Sequence, residues 1–433
     1  MRGADFGPSD LPKWAPRIGD STISLSRTYY DRHMAELIPD PELEQIIQEM
    51  NREASIDHPA PSEPVVWDVP DLREVRGDEP LDSVLDEMVR RGASDLLLVP
   101  GSAPVVRADG RLERLPLPET GEEDVRNLFQ SHLTRRAQRH LADRGSADFS
   151  LRMAPSGDRL AWRFRVNIQR QGSGLAAAVR ALPRRIPSFD ELNLPSSIAD
   201  LATTGNGLVL VCGPTGSGKS TTLAAMLDRV NRTDFRHIIT IEDPVEYEHT
   251  NDRSVFEQVE IGSDAPEFST ALRASLRRDP DVILVGEMRD LETISTALTA
   301  AETGHLVLST LHTGDSAQAI HRVIDVFPAS QQEQIRNQLA LSLRAVVCQQ
   351  LLPTAGGHGR IPAVELLVAT YAVRNHIRKG NTDRLYNEIT AGRGRGMQTM
   401  EHALTELVSR RVITVEQAHA RTSRPDELNR MLG

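Results

Sequence analysis

The chain has 433 residues, 39% of them hydrophobic, and its 50 Lys and Arg against 61 Asp and Glu leave a net charge of −11. This length predicts two or three domains, and the apolar content is sufficient for real cores. No apolar run approaches the roughly 20 residues of a membrane span, and the N-terminus lacks a signal pattern, so we expect a soluble, cytoplasmic protein without an integral span. The two cysteines exclude a disulfide framework and a four-cysteine zinc site.

Residues 1–78 form an acidic, Pro-rich leader. They hold 16 Asp and Glu but only 8 Lys and Arg, so most of the net negative charge lies here. One helix is predicted over 41–54, and we expect the rest of the leader to be largely disordered. The remainder of the chain is nearly neutral, which disfavours a general nucleic-acid binder, although a local basic channel is compatible with it.

Residues 79–186 predict a small α+β domain. We expect helices over 81–91 and 122–143, strands over 95–99, 160–171 and 175–182, and a hairpin over 105–115 that turns at Asp109-Gly110. Arg163, Arg165 and Arg180 lie on the last two predicted strands. Considered as residues alone, arginines on strands are more often surface charges than ligands. A connector over 187–206 follows.

From residue 207 onward, apolar strands alternate with helices. The predicted strands are 208–212, 237–241, 282–285 and 305–311. A helix over 330–351 and short helices up to 433 follow. This order predicts a doubly wound α/β domain over 207–370 with a mostly parallel sheet, and a helical region over 371–433. Ligands of such sheets bind at the carboxyl ends of the strands, so the residues after each strand are the candidates for function.

The stretch G-P-T-G-S-G-K-S-T follows the first of these strands and contains the phosphate-loop pattern G-x-x-x-x-G-K-[ST]. Its glycines let backbone N–H groups face a polyphosphate, Lys219 would meet the β and γ phosphates, and Ser220 would bind Mg²⁺. Only three residues of the chain are lysines, which indicates that this position requires a compact charge. The predicted nucleotide-binding residues of this stretch are Gly213, Pro214, Thr215, Gly216, Ser217, Gly218, Lys219, Ser220 and Thr221.

Acidic residues and a histidine follow the other strands. Glu242 and Glu246 follow the second strand, where they could hold Mg²⁺ through water or orient a water molecule, or simply form an acidic capping turn. Glu287 follows the third strand and fits the second nucleotide-binding motif, in which Gly286 occupies a position that is often Asp. His312 ends the fourth strand and is a candidate reporter of the γ-phosphate.

Together, these stretches resemble the secretion ATPase superfamily of type II secretion and type IV pili, and most of all its pilus retraction ATPases. The resemblance covers about residues 79–433. The absence of a four-cysteine zinc site favours the retraction group over assembly and type II enzymes. The motifs are the phosphate loop, the aspartate box I-T-I-E-D-P-V-E-Y at 239–247, D-P-D-V-I-L-V-G-E-M-R-D at 279–290, the histidine box S-T-L-H-T at 309–313, and upstream G-A-S-D-L at 92–96 and R-F-R-V-N at 163–167.

The resemblance implies a PAS-like domain ahead of a RecA-like P-loop NTPase domain. It also implies that Glu246 positions the attacking water and that Glu287 acts near Mg²⁺ through water. His305 and His312 would be the histidine-box residues of the nucleotide site. Arg165 and Arg180 would reach the nucleotide as arginine fingers do, which replaces the surface interpretation of those two residues.

The implied function is a hexameric motor that hydrolyses ATP with Mg²⁺ and retracts a type IV pilus, as in twitching motility. Its partner would be an inner-membrane platform protein, met at the cytoplasmic face of the membrane. Two alternatives stay open: a type IV secretion or conjugation ATPase of the same superfamily, and a RecA-like nucleic-acid translocase, which DNA would stimulate in a salt-dependent way. A regulator that binds ATP without hydrolysis is disfavoured by the intact Lys219, Glu246 and Glu287.

Overall fold

Two β-sheets organise the part of the chain that the structure, a computed structural model, describes. The described residues are 80–108, 110–153, 161–172, 174–357 and 359–433. All of them belong to one compact unit. The predicted helix over 41–54, like the rest of the acidic leader, lies outside the described residues.

The first sheet has six strands in the order β3-β2-β1-β6-β5-β4, and all neighbours are antiparallel. Along β5, apolar side chains that enter the core alternate with polar ones on the opposite face, as the period of a strand requires. The strands are β1 (Asp95–Leu98), β2 (Val105–Ala108), β3 (Arg111–Arg114), β4 (Ser146–Met153), β5 (Trp162–Gln171) and β6 (Gly174–Ala181). The helices are α1 (Pro80–Arg90), α2 (Asp124–Phe129) and α3 (Arg135–Arg144).

Most of the elements predicted here are present. The hairpin, the first helix and the last two strands are confirmed. The predicted helix over 122–143 is in fact two helices, because Thr134 caps a new helix by accepting a hydrogen bond from the N–H of Ala137 at 3.1 Å. Strand β4 was not predicted.

The second sheet has seven strands in the order β13-β12-β7-β11-β10-β8-β9. All neighbours are parallel except β12 and β13. The phosphate-loop strand therefore lies near the middle, with apolar clusters on both faces. The strands are β7 (Gly207–Cys212), β8 (His237–Glu242), β9 (Val255–Glu260), β10 (Val282–Val285), β11 (Leu306–Leu311), β12 (Leu343–Pro353) and β13 (Arg360–Val368). This arrangement confirms the predicted α/β fold with a parallel sheet.

Helices cover this sheet and extend beyond it. Two short helices, α4 (Phe189–Leu192) and α5 (Ser196–Leu201), lead into β7. Between the strands lie α6 (Lys219–Thr233), α7 (Phe268–Ser275), α8 (Leu291–Glu302), α9 (Ser316–Asp325) and α10 (Gln332–Ser342). After β13 come α11 (Tyr371–Lys379), α12 (Leu385–Ala391), α13 (Met400–Ser409), α14 (Val415–His419) and α15 (Pro425–Leu432).

The predicted helix over 330–351 is wrong in its second half. Helix α10 ends at Ser342, and β12 begins at Leu343 and pairs in parallel with β7. The run Ala345-Val346-Val347-Cys348 is completely buried between layers. Apolar spacing alone does not distinguish a buried strand from a buried helix. Here the hydrogen-bonded pairing with β7 makes the segment a strand. Strand β13 was likewise not predicted.

Candidate functional site

The loop between β7 and α6 favours glycine at two positions. Gly213 has φ 142°, and a Cβ there would lie 2.3 Å from the carbonyl oxygen of Gln349. Gly218 has φ 93°, and its Cβ would lie 2.7 Å from Nε2 of Gln349. Strand β12 thus bounds the loop on one side. On the other side the loop presents backbone without side chains at these glycines, as anion-binding loops do.

Lys219 begins α6 and folds back over this loop. Its Nζ donates hydrogen bonds to the carbonyl oxygens of Gly213 at 2.9 Å and Pro214 at 3.1 Å. Burial lowers the pKa of Lys219, and the nearby Cys212, Glu246 and Glu287 oppose that shift. The ammonium is therefore held at the loop, near the carboxylates of Glu246 and Glu287, which follow two other strands of the sheet.

The remaining loop residues divide into exposed and buried ones. Pro214, Thr215 and Gly216 are exposed, whereas Ser217 is buried and its Oγ has no hydrogen-bond partner among the described residues. A cavity of about 330 Å³ opens beside the loop, and its polar lining includes Arg360 and Arg421. A free buried hydroxyl, a lysine and open space at one loop are features that fit a phosphorylated ligand.

The aspartate-box residues lie at the carboxyl end of β8. Glu242 ends the strand, and burial raises its pKa to about 7. Glu246 is exposed, and its N–H donates to Oε2 of Glu242 at 3.4 Å. Tyr247 is buried and its hydroxyl lies 3.0 Å from Oγ1 of Thr221, the third residue of α6. This contact places Glu246 close to the phosphate loop.

Glu287 and His312 lie side by side at the ends of β10 and β11. Oε2 of Glu287 is 2.8 Å from Nη2 of Arg289 and 3.9 Å from Nε2 of His312. Burial lowers the pKa of His312, and so does the charge of Lys219, which ties this pair to the phosphate loop. A Cβ at Gly286 would lie 3.1 Å from the carbonyl oxygen of Ile241, so this position does not readily take a larger side chain and the acid of the motif is Glu287.

A divalent cation would find few protein ligands at this site. Among the described residues, no group of three or more His, Cys, Asp or Glu side chains is arranged to hold a metal ion. Mg²⁺ in nucleotide sites needs only one or two protein ligands, with phosphate and water supplying the rest. Ser220, in the first turn of α6 and half-buried, and Glu287 fit that requirement, and Glu242 is a further candidate through water.

His305 does not join this cluster within one subunit. It precedes β11, at the amino edge of the sheet, and its Nδ1 lies 2.9 Å from the carbonyl oxygen of Ala300. The six residues of β11 separate it from His312, which is roughly 20 Å along a strand. The two histidines therefore lie at opposite edges of the sheet, and His305 is not beside the phosphate loop of its own chain.

Arg165 and Arg180 face each other on β5 and β6 of the first sheet. Their side chains are 44% and 65% exposed, and they interact with Asp148 at 4.0 Å and Asp95 at 2.8 Å respectively. Arg163 precedes Arg165 by two residues and so lies on the same face of the sheet. Arg163 bonds to the aspartate box, so this face is the one turned towards the second sheet.

The contacts of several residues around the site could not be predicted from the motifs, although Tyr247 and Arg163 lie within two of them. Gln349 bounds the loop from β12, Tyr247 bonds to α6, and Arg163 with Glu260 joins the first sheet to the aspartate box. Gln349 lies in the segment that was predicted to be helical, so its position beside the loop could not be predicted. The alternation of β5 would have placed Arg163 on a polar face, but not against a particular partner.

The comparisons with known proteins agree with this geometry. A family model described as type II/IV secretion system protein matches residues 78–430. The type IV pilus retraction ATPase PilT of Pseudomonas aeruginosa is 43% identical over 337 residues, which cover 78% of this chain and 96% of that protein. A twitching motility protein of Neisseria gonorrhoeae is also 43% identical, over 75% of this chain and 86% of its own length.

Solved structures show the same fold. A crystal structure of the pilus retraction motor PilT with bound ADP is 44% identical and superposes with a TM-score of 0.74, over 81% of this chain and 98% of that one. The ATPase DotB of Legionella pneumophila is 28% identical with a TM-score of 0.69, over 78% and 94%. In the described residues, no helix has the length and apolar character needed to cross a membrane. The chain belongs to the family of type II/IV secretion system proteins, and within it resembles the pilus retraction ATPases.

Proposed function

We propose that this protein is an ATP-hydrolysing motor of type IV pilus retraction. The observation that carries the proposal is the 43% identity to a pilus retraction ATPase across 96% of that protein's length. The phosphate loop, Glu246 and Glu287 all follow carboxyl ends of strands at the same edge of one parallel sheet, which supports the proposal because nucleotide hydrolysis needs these groups together.

In this proposal the loop binds the phosphates of ATP. Lys219 would exchange its bonds with Gly213 and Pro214 for bonds to phosphate oxygens. Ser220 and Glu287 would hold Mg²⁺, which when bound would supply positive charge that stabilises the phosphates. The cavity beside the loop offers about 330 Å³ for the rest of the nucleotide.

Hydrolysis would proceed by in-line attack of water on the γ-phosphate. Glu246 orients that water, and His312, held beside Glu287, senses the γ-phosphate. Arg165 and Arg180 provide positive charge as the phosphoryl group transfers, after movement of the first sheet towards the loop. Positioning and charge stabilisation supply the rate enhancement, and no covalent intermediate is required.

The protein would work as a homo-hexamer at the cytoplasmic face of the membrane, attached through an inner-membrane platform protein. The sequence resemblance supports both statements. A ring would also give a role to His305, which is remote from the loop of its own subunit and could act at a contact between subunits. The leader, the connector and the helical C-terminal region would be separate parts of each subunit, with the boundaries given above.

The first test is ATPase activity with Mg²⁺ for the wild type and for Glu287→Gln. We expect the variant to lose roughly a hundredfold or more in kcat, since a charged group acting in the transition state is removed, while its affinity for a fluorescent ADP analogue stays within a few fold. Full activity of Glu287→Gln would refute the role given to that carboxylate.

The same assay distinguishes the translocase alternative. Adding single-stranded or duplex DNA is expected to leave the rate unchanged. Stimulation by DNA that falls steeply with salt would replace the pilus motor by a nucleic-acid translocase.

A further inference from the structure

The segment that carries Glu246 is anchored on both sides of that residue. On one side, the N–H of Val245 donates to Oε2 of Glu260 at 3.2 Å, and its carbonyl oxygen accepts a hydrogen bond from Arg163. On the other side, Tyr247 bonds to Thr221 through its hydroxyl at 3.0 Å, and its carbonyl oxygen accepts from Nε2 of Gln258 at 2.9 Å. The backbone on either side of Glu246 is thereby fixed.

Three of these four anchors belong to the second sheet and its helices, and one does not. Thr221, Gln258 and Glu260 lie on α6 and β9. Arg163 comes from β5 of the first sheet, and it binds the same Glu260 carboxylate that holds Val245. Ser150 of β4 adds a second bond from the first sheet, to Oε1 of Glu260 at 2.8 Å. The anchor on Val245 therefore depends on how the first sheet is docked.

The Arg163–Glu260 pair is protected from solvent, unlike a second pair at the same junction. The side chains of Arg163 and Glu260 are only 13% and 10% exposed. Those of Arg152 and Glu248, an ion pair on the neighbouring strand and loop, are 58% and 45% exposed. Exposed ion pairs contribute little, whereas a buried arginine that also bonds a backbone carbonyl fixes geometry.

We infer that Arg163 is a positioning residue that holds the Glu246 segment from the first sheet, so that Glu246 is set for hydrolysis only while the two sheets are docked. The inference rests on the proposed function, since it gives Glu246 a role in catalysis. It goes beyond the arginine fingers, because Arg163 acts on the protein backbone and not on phosphate. Nucleotide binding is left to the loop, and only the chemical step depends on Arg163.

The test compares three variants of the full chain in steady-state ATP hydrolysis. Arg163→Met combined with Glu260→Gln removes the pair without leaving a buried charge. We expect it to lower kcat roughly ten- to a hundredfold through misplacement of Glu246, with KM changed by less than about threefold. Arg152→Met is the matched control at the same junction, and its kcat should stay within about twofold of the wild type.

Arg163→Lys distinguishes a role of Arg163 in positioning Glu246 from a role in the stability of the fold alone. A lysine can restore the charge opposite Glu260 but not the fork that also reaches the carbonyl oxygen of Val245. We expect it to recover the thermal midpoint of the wild type but not its kcat. Recovery of both by lysine, or an equal loss of kcat in Arg152→Met, would overturn the inference.

Hydrogen exchange provides a readout that does not depend on activity. In Arg163→Met/Glu260→Gln, amides of residues 245–249 should exchange faster than in the wild type, while those of β7 and β11 stay protected. Unchanged exchange at 245–249 would refute the anchor even if kcat fell. If instead Glu246→Gln alone left kcat unchanged, the proposed role of Glu246 would fail, whereas the exchange result would still decide the anchor.

Discussion

Glu242, half-buried at the end of β8, differs from the other acids of the site in its pKa. Burial raises its pKa to about 7, well above the ordinary value of 4.5. An ionised Glu242 therefore costs folding free energy. The cost is absent below about pH 4.5. It grows between about pH 4.5 and pH 7, where the Glu242 carboxyl is ionised in the unfolded chain but not in the folded protein, and it reaches its full size above about pH 7.

Glu242→Gln should remove this cost without losing the acceptor for the N–H of Glu246. We expect the variant to be more stable than the wild type by about 2–3 kcal/mol at pH 8 and by under about 1 kcal/mol at pH 5. Thermal midpoints measured at the two pH values test this. Asp243→Asn, at an exposed position next along the chain, is the control and should show no pH-dependent gain. A stabilisation of equal size at both pH values would contradict the buried-acid explanation.

At the scale of single residues, the motifs predicted which side chains lie at the same edge of the second sheet. Lys219, Glu246, Glu287 and His312 lie together because each follows a neighbouring parallel strand. Residues that act through distant contacts were not predictable. Arg163 and Glu260 are 97 positions apart in the chain, and nothing in either local pattern indicates that they meet.

At the scale of elements, the phosphate loop depends on a strand that lies more than 100 residues later in the chain. Gly213 and Gly216 both have positive φ, but their surroundings differ. The Cβ of an alanine at 213 would lie 2.3 Å from backbone of β12, while at 216 it would meet nothing within 4 Å.

Because of this difference, alanine substitutions at positions 213 and 216 form a matched pair of variants. Gly216→Ala should lose only the about 1–2 kcal/mol of stability that an alanine in the left-handed conformation costs, and the variant should fold. Gly213→Ala must also push β7 and β12 apart, so we expect a loss of more than about 3 kcal/mol. Chemical denaturation of the two variants measures this. Equal losses would mean that contact with β12 does not shape the loop.

Strand β12 also explains where prediction from sequence failed among the elements. Its residues continue the apolar run of α10, and a single chain gives no sign of the pairing with β7 that makes them a strand. The strands with clear boundaries, such as β7 and β10, were predicted within a residue. The PAS-like character of the first sheet and the limits of the domains stay predictions.

At the scale of the whole molecule, the geometry of one subunit leaves two groups of residues away from the loop. His305 lies at the far edge of the sheet, and Arg165 and Arg180 are exposed on the first sheet and bonded to acids of their own domain. Hydrolysis in a lone subunit should therefore be slow. The proposed ring would supply neighbouring subunits, so activity should follow assembly.

We therefore expect the ATPase rate per subunit to rise with protein concentration and to level off once rings have formed, as mass action requires. Rates measured alongside light scattering test this. Glu287→Gln gives the background at each concentration, because it should assemble and remain inactive. A variant without the acidic leader, residues 79–433, tests whether the leader affects assembly. A shifted curve of rate against concentration would make the leader a regulator. An unchanged curve would leave it a docking arm or a passive tail. A rate per subunit that is constant across concentrations at which scattering reports monomers and rings would contradict activity that depends on the ring.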